Sequence, residues 1–297
     1  MPKKLSSQSW LDQDGVAAWI FLAPALILLG IFLLWPIAYL FYLSFTSGSF
    51  TATGIQWVGG RNYLRLLNNP DFWQVLWNTI YFTLATVFPS LVIPLILAVL
   101  LNQSVALQGL LRTAYFIPSI TSLVAVGLGF RWLFQNQGPV NSFLTFTDLA
   151  PIPWLNSTIW AMPVLILLSI WKQLGFNMVI FLAGLQAIPQ VRYEAAELDG
   201  ANGVAKFWHV TLPGLRPTLV FATVTTAIFT LRSFEQVYII TGGGPLNSTN
   251  LLVHYIYQEA FARFDFGYAA AAATVLLAIT LLLVYVQLKV WGEQGEG

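Results

Sequence analysis

The feature that most limits what this chain can fold into is how little charge interrupts it. Six windows, at 16–45, 75–101, 113–134, 158–183, 215–240 and 267–290, are almost continuously apolar. Crossing the hydrocarbon layer of a bilayer takes about 20 such residues at about 1.5 Å each, so every window is long enough. Only 8% of the 297 residues are Asp, Glu, Lys or Arg, against about 25% in a water-soluble domain. That is too little charge to face water, and the bilayer must be the solvent. The expected fold is an all-α integral membrane protein with six transmembrane helices. Its layout is an N-terminal segment 1–15, a membrane domain 16–290 and a tail 291–297. The first apolar stretch runs past Pro24 and Pro36, far longer than a cleavable signal core, and is read as the first span.

Positively charged connections stay on the cytoplasmic side. With both termini inside, that side holds Lys3, Lys4, Arg112, Arg192, Lys206, Arg216 and Lys289, against Arg61, Arg65 and Arg263 outside. The arrangement puts 186–213, the most charged connection, in the cytoplasm. The outer connections are rich in Gly, Pro, Asn, Ser and Trp and read as ordered caps or turns. Prolines within the windows, among them Pro89, Pro94, Pro118 and Pro163, remove ladder hydrogen bonds that neighbours or a cavity must replace. Kinked helices around a pathway and an ordinary packed bundle account for them equally well.

The 186–213 connection predicts two short amphipathic helices. In the first, Val191, Ala195 and Leu198 fall at i, i+4 and i+7, with Arg192, Glu194 and Glu197 on other faces. Gly200 stands where a helix ends in the left-handed conformation. In the second, Val204, Phe207, Trp208 and Thr211 recur at i, i+3, i+4 and i+7, and Pro213 closes it. Periodicity leaves two occupants for these faces, another protein or lipid headgroups.

Glu194, Ala195 and Ala196, then Gly200, then Val210, Leu212 and Pro213 reproduce the pattern EAA, three residues, G, nine residues, I, one residue, LP. This closely resembles the coupling loop of bacterial ABC importer permeases, with Val210 in place of Ile. Phe181 to Leu185 before Ile188-Pro189, Asp199-Gly200-Ala201, the run Thr241 to Pro245, and Tyr255-Ile256-Tyr257 with Phe261 and Gly267-Tyr268 are similar to carbohydrate-uptake permeases. Within these the Gly-Gly-Gly-Pro segment resembles the first-permease class of the maltose, lactose and glycerol-3-phosphate type. The resemblance implies an importer in the bacterial inner membrane with five parts: two homologous permease chains, two cytoplasmic ATPase subunits and an extracytoplasmic solute-binding protein. Glu194, Ala195, Ala196, Asp199, Gly200, Leu212 and Pro213 would then form the handle for the ATPase. Glu194 would supply a polar contact, Ala195 and Ala196 close approach, and Gly200 the turn.

No G-x-x-x-x-G-K-[ST] run is present, so no phosphate-cradling loop exists in this chain. The resemblance assigns ATP and Mg to the partner ATPase, and no cofactor is expected here. No cysteine and two distant histidines leave no thiolate or metal chemistry, and a net charge of +1 gives no basic field for nucleic acid. Arg131, Lys172, Arg232 and Glu235 lie inside the windows, where a charge facing lipid costs about 2.5–3.5 kcal/mol. They should face the interior, water or each other. Arg232 and Glu235, three apart, read as neighbours on one helix. They form a packing ion pair or, with Trp171, Lys172, Asn177 and Tyr238, line a path for a hydroxyl-rich, sugar-like solute. An ion- or proton-coupled secondary transporter is the alternative, with these charges as its coupling site.

Overall fold

The computed structural model describes residues 9–47, 54–103 and 107–292. Lys3, Lys4 and most of the tail lie outside the described residues. The described chain is helical apart from one two-stranded antiparallel ribbon, β1 (Thr46–Ser47) with β2 (Gln56–Trp57), pairing Thr46 with Trp57. Helix α1 (Ser9–Leu29) runs through a π-helical turn at Gly30–Leu34 into α2 (Trp35–Ser44). A short α3 (Arg61–Leu67) leads to α4 (Pro70–Leu101), started by Pro70 and by the Asn69 side chain accepting from the Asp71 N–H at 3.0 Å.

Helix α4 is the spine of the fold. At its N-terminal end Phe72 and Val75 pack with Leu252, Tyr255 and Tyr268. Midway Phe82 meets Met162, Leu165, Val237 and Leu251. At its C-terminal end Ala98 and Leu101 join Met178, Phe181, Leu185 and Leu215. Because α8 (Ala161–Gln186) meets α4 in the same order, N-terminal part to N-terminal part, the two helices run parallel. Lipid offers no hydrophobic drive for this association, so close approach and buried hydrogen bonds carry it. Asn177, fully buried on α8, donates to the Ser90 carbonyl of α4 at 2.6 Å and to Thr226 Oγ1 at 3.0 Å.

Four stretches are long and apolar enough to cross a membrane: Phe21–Ser44, Pro70–Leu101, Ala161–Gln186 and Phe266–Lys289, the last within α14 (Phe266–Gly292). Two bent pairs bring the number to six. In the first, α5 (Gln108–Ile120) and α6 (Leu123–Phe134), with the following α7 (Pro139–Phe146), turn by 94°. The window 113–134 is therefore not one straight helix. Pro118 sits two residues before its break, where the missing N–H frees carbonyls. In the second, the connection Gly203–Gly214 meets α12 (Arg216–Leu231) at 67°. The window 215–240 is broken too: α12 ends at Leu231, Ser233 and Phe234 are non-helical, and a π-helical turn follows at Val237–Thr241. The glycine run 242–244 forms a turn, with Gly242 at φ +61°.

Candidate functional site

Two places stand out along α8 and α12. Where α8 ends, α9 (Gln190–Leu198) begins an elbow, followed by α10 (Gly203–Lys206), a π-helical turn at Phe207–Thr211 and the single turn α11 (Leu212–Gly214). Gly200 has φ +78°, a left-handed residue just past the helix. The Ala201 N–H reaches back to the Ala196 carbonyl at 2.9 Å, which satisfies an orphan carbonyl of the last turn. Asn202 caps α10, its side chain accepting from the Ala205 N–H at 2.9 Å. Lys206 closes the bend by donating to Glu197 at 2.6 Å. That hydrogen bond, and then the charge behind it, hold the Glu197 carboxyl below the usual carboxylate range.

The elbow is fixed to the bundle by Tyr193, which packs against the cluster around Phe181 and hydrogen-bonds Thr211 at 3.1 Å. Its other faces are uncovered. Val191, Leu198, Val204 and Trp208 are exposed, and Glu194 makes no hydrogen bond or ion pair among the described residues. A groove of about 470 Å³ runs over Ala195, Ala196, Asp199, His209 and Pro213. Leu212 is half-buried beside it. The π-helical turn shifts the second helix out of the expected register, so Thr211 is buried while Trp208 faces outward. Glu197, on the same helix as Glu194, is turned to Lys206.

The second place is a cavity of about 620 Å³ between the broken end of α5, the middle of α8 and the break after α12. Phe116, Phe176, Phe229 and Phe234 supply aromatic walls; Lys172, Gln173, Arg232 and Glu235 are among its polar groups. Lys172 donates to the Pro118 carbonyl at 2.8 Å, to Ser119 at 3.3 Å and to Thr121. An ammonium thus caps the carbonyl end of α5, where the helix dipole is negative. Ser119 returns a bond to the Lys172 carbonyl at 3.1 Å.

Of the six residues expected on a pathway, Lys172, Arg232 and Glu235 line this cavity, and Trp171, Asn177 and Tyr238 do not. Trp171 packs on Phe130 at 5.8 Å and Tyr238 stacks on Phe234 at 5.5 Å. At about 100° per residue, Trp171 is one step off the face that carries Lys172, and Asn177 points into the helix interface. The missed residues Ser169, Gln173 and Phe176 had a signal: with Lys172 they recur at i, i+3, i+4 and i+7, one stripe facing the cavity. Of the two readings for Arg232 and Glu235, the ion pair does not form, whereas both residues line the cavity. Arg232 is the C-cap of α12, and Glu235 follows a non-helical step, so three-residue spacing no longer makes them neighbours. Among the described residues no group of three or more His, Asp or Glu could hold a metal.

Residues 79–291 match the family model for the binding-protein-dependent transport system inner membrane component. The chain belongs to this family. The matched permease region contains both the elbow and the cavity. Among curated relatives, the sulfoquinovosyl glycerol transport system permease of Agrobacterium fabrum is 39% identical over 95% of this chain and 92% of its own. The lactose transport system permease of Rhizobium radiobacter is 38% identical, covering 95% of each. The arabinooligosaccharides transport system permease of Bacillus subtilis is 36% identical over 100% of this chain and 96% of its own. A crystal structure of a bacterial ABC transporter involved in import of the acidic polysaccharide alginate shares the fold, with a TM-score of 0.84, 23% identity and coverage of 97% of this chain and 99% of that one. This permease is thus a multi-pass inner-membrane component of a binding-protein-dependent transport system.

Proposed function

We propose that this permease imports a sugar or sugar-like solute, drawn from di- and oligosaccharides, glucosyl-polyols or the glycerol-3-phosphate class, driven by a separate ATPase gripping the elbow. One observation carries the reading. Helices α8 and α12, which enter and leave the elbow, are the same helices whose middle and far ends wall the cavity. A push on a rigid knob is therefore transmitted along two helices to the cavity, the arrangement a rigid-body switch requires. Aromatic walls interleaved with hydrogen-bonding groups suit a solute with apolar ring faces and many hydroxyls, and the names of three relatives point to sugars.

A second permease fits the uncovered first span: from Phe21 to Leu43 no residue is buried within the chain, although α2 packs along α14. A pair of ATPase subunits inside and a solute-binding protein outside complete the importer, with both termini of this chain cytoplasmic and lipid around the rest. The test is uptake of labelled oligosaccharide into proteoliposomes holding the full assembly. Uptake should require ATP and persist when ion gradients are collapsed. Uptake that follows an ion gradient and ignores ATP overturns the reading.

A further inference from the structure

The end of α4 opposite the elbow carries a separate pocket. It is about 500 Å³ and is walled by Arg61, Arg65 and Arg263, with Asn69, Glu259 and Tyr268 behind them. These three arginines are assigned to the outer side by charge counting; Arg61 and Arg65 share α3, and Arg263, about 200 residues further along the chain, converges on them here. Arg65 pairs with Asp265 at 2.9 Å and lies over the Tyr268 ring at 4.5 Å. Arg263 pairs with the buried Glu259. Arg61 is exposed and has no partner among the described residues. Three guanidiniums thus face two carboxylates, an excess of one positive charge. The floor is a built polar network, in which Asn69 donates to the hydroxyls of Tyr255 and Tyr268 at 3.1 and 2.9 Å.

We propose that this pocket holds the phosphate of an anionic phospholipid headgroup in the outer leaflet. A free guanidinium fork beside two partly used ones matches phosphate oxygens. The apolar surroundings select lipid over a soluble anion. Leu64 lines the pocket and is exposed, as are Leu67, Trp73 and Trp77 just beyond it. Trp73 donates its indole N–H to the Leu67 carbonyl at 2.8 Å, the posture of an interfacial aromatic. The cationic pocket therefore sits above an apolar collar at the start of the membrane-crossing part of α4, the depth at which a headgroup meets its acyl chains. An acidic side chain from a solute-binding protein would have no use for that collar.

The leaflet assignment rests on the proposed cytoplasmic elbow, whereas lipid retention is read without transport, so either reading can fail alone. The full-length chain is placed in nanodiscs of phosphatidylcholine doped with phosphatidylglycerol, and the lipid kept after transfer to detergent is counted by native mass spectrometry. Wild type should retain phosphatidylglycerol over phosphatidylcholine. Arg61→Gln, at a side chain without partners, should retain about tenfold less, the loss of roughly one charged hydrogen-bond pair, and Arg61→Lys should fall between. Equal retention by Arg61→Gln and wild type overturns the proposal. So does displacement of the lipid by inorganic phosphate alone, or unchanged lipid retention with weakened docking of the solute-binding protein.

Discussion

The elbow and the cavity are joined by the same two helices, α8 and α12, but their polar groups are satisfied in opposite ways. In the elbow every turn closes on itself: Ala201 on Ala196, Asn202 on Ala205, Lys206 on Glu197. The partners in these three closures are at most nine residues apart, and Val191, Leu198, Val204 and Trp208 are left exposed. In the cavity the broken end of α5 is closed from 51 to 54 residues away by Lys172. The elbow is thus a rigid local unit, whereas the cavity depends on how α5, α8 and α12 sit against one another. A locally closed part can be moved as a body, and a tertiary part can change shape when it is moved.

The largest effect should come from spoiling the tertiary part. A Cβ on Gly175 would lie 2.2 Å from the Tyr115 carbonyl oxygen, a clash with backbone that no side-chain rotation relieves. Gly175→Val should destabilise the bundle by about 3 kcal/mol or more, read as loss of folded protein in a thermal-shift assay in detergent. Normal stability with this substitution would mean that α5 and α8 part easily, and the cavity would not depend on their fit.

Next is Gly200→Val, which puts a β-branched residue at φ +78° at a cost of about 1–3 kcal/mol. The strain is confined to the elbow, so the bundle should keep its thermal stability while the ATPase no longer co-purifies and transport stops. Retained transport and retained ATPase would break the assignment of the elbow as the handle. Lys172→Met comes third. It leaves the α5 carbonyls to water from the cavity, so the loss should be about 1–2 kcal/mol, with solute uptake impaired and ATPase co-purification intact. The opposite pattern would show that Lys172 acts through the elbow.

The same contrast governs what the sequence makes legible. Contiguous chemistry can be read without the fold: Gly200 after an apolar stripe announces a left-handed helix end, and the structure has it. The six apolar windows were legible because lipid allows few alternatives to a helix. Arg232 and Glu235 line the cavity, but their pairing assumed an unbroken helix through 215–240, and a break of two residues removes that i, i+3 relation. Asn177 was misjudged because a polar residue in an apolar window satisfies its hydrogen bonds equally well at a helix interface or in a pathway. Only its direction relative to Lys172 distinguishes these, and the stripe Ser169, Lys172, Gln173 and Phe176 holds that information.

The smallest effect concerns the ion pair that closes the elbow. Glu197 is exposed, and exposed pairs contribute little because water and salt screen them. Its carboxyl is held below the ordinary glutamate value of 4.5. A depressed folded value means the contribution is fully present above about that pH and is lost as pH falls through the lower folded value. At neutral pH the pair is therefore intact, and Gly200 with its backbone bonds sets the bend in any case. Glu197→Gln should leave transport within about twofold of wild type at neutral pH, a change expected for a screened surface pair. It should also remove any acid sensitivity of ATPase co-purification that wild type shows below the ordinary carboxylate range. A large neutral-pH loss in this variant would mean that the ion pair, not the backbone, holds the elbow rigid, and the contrast between a locally closed handle and a tertiary cavity would have to be drawn elsewhere.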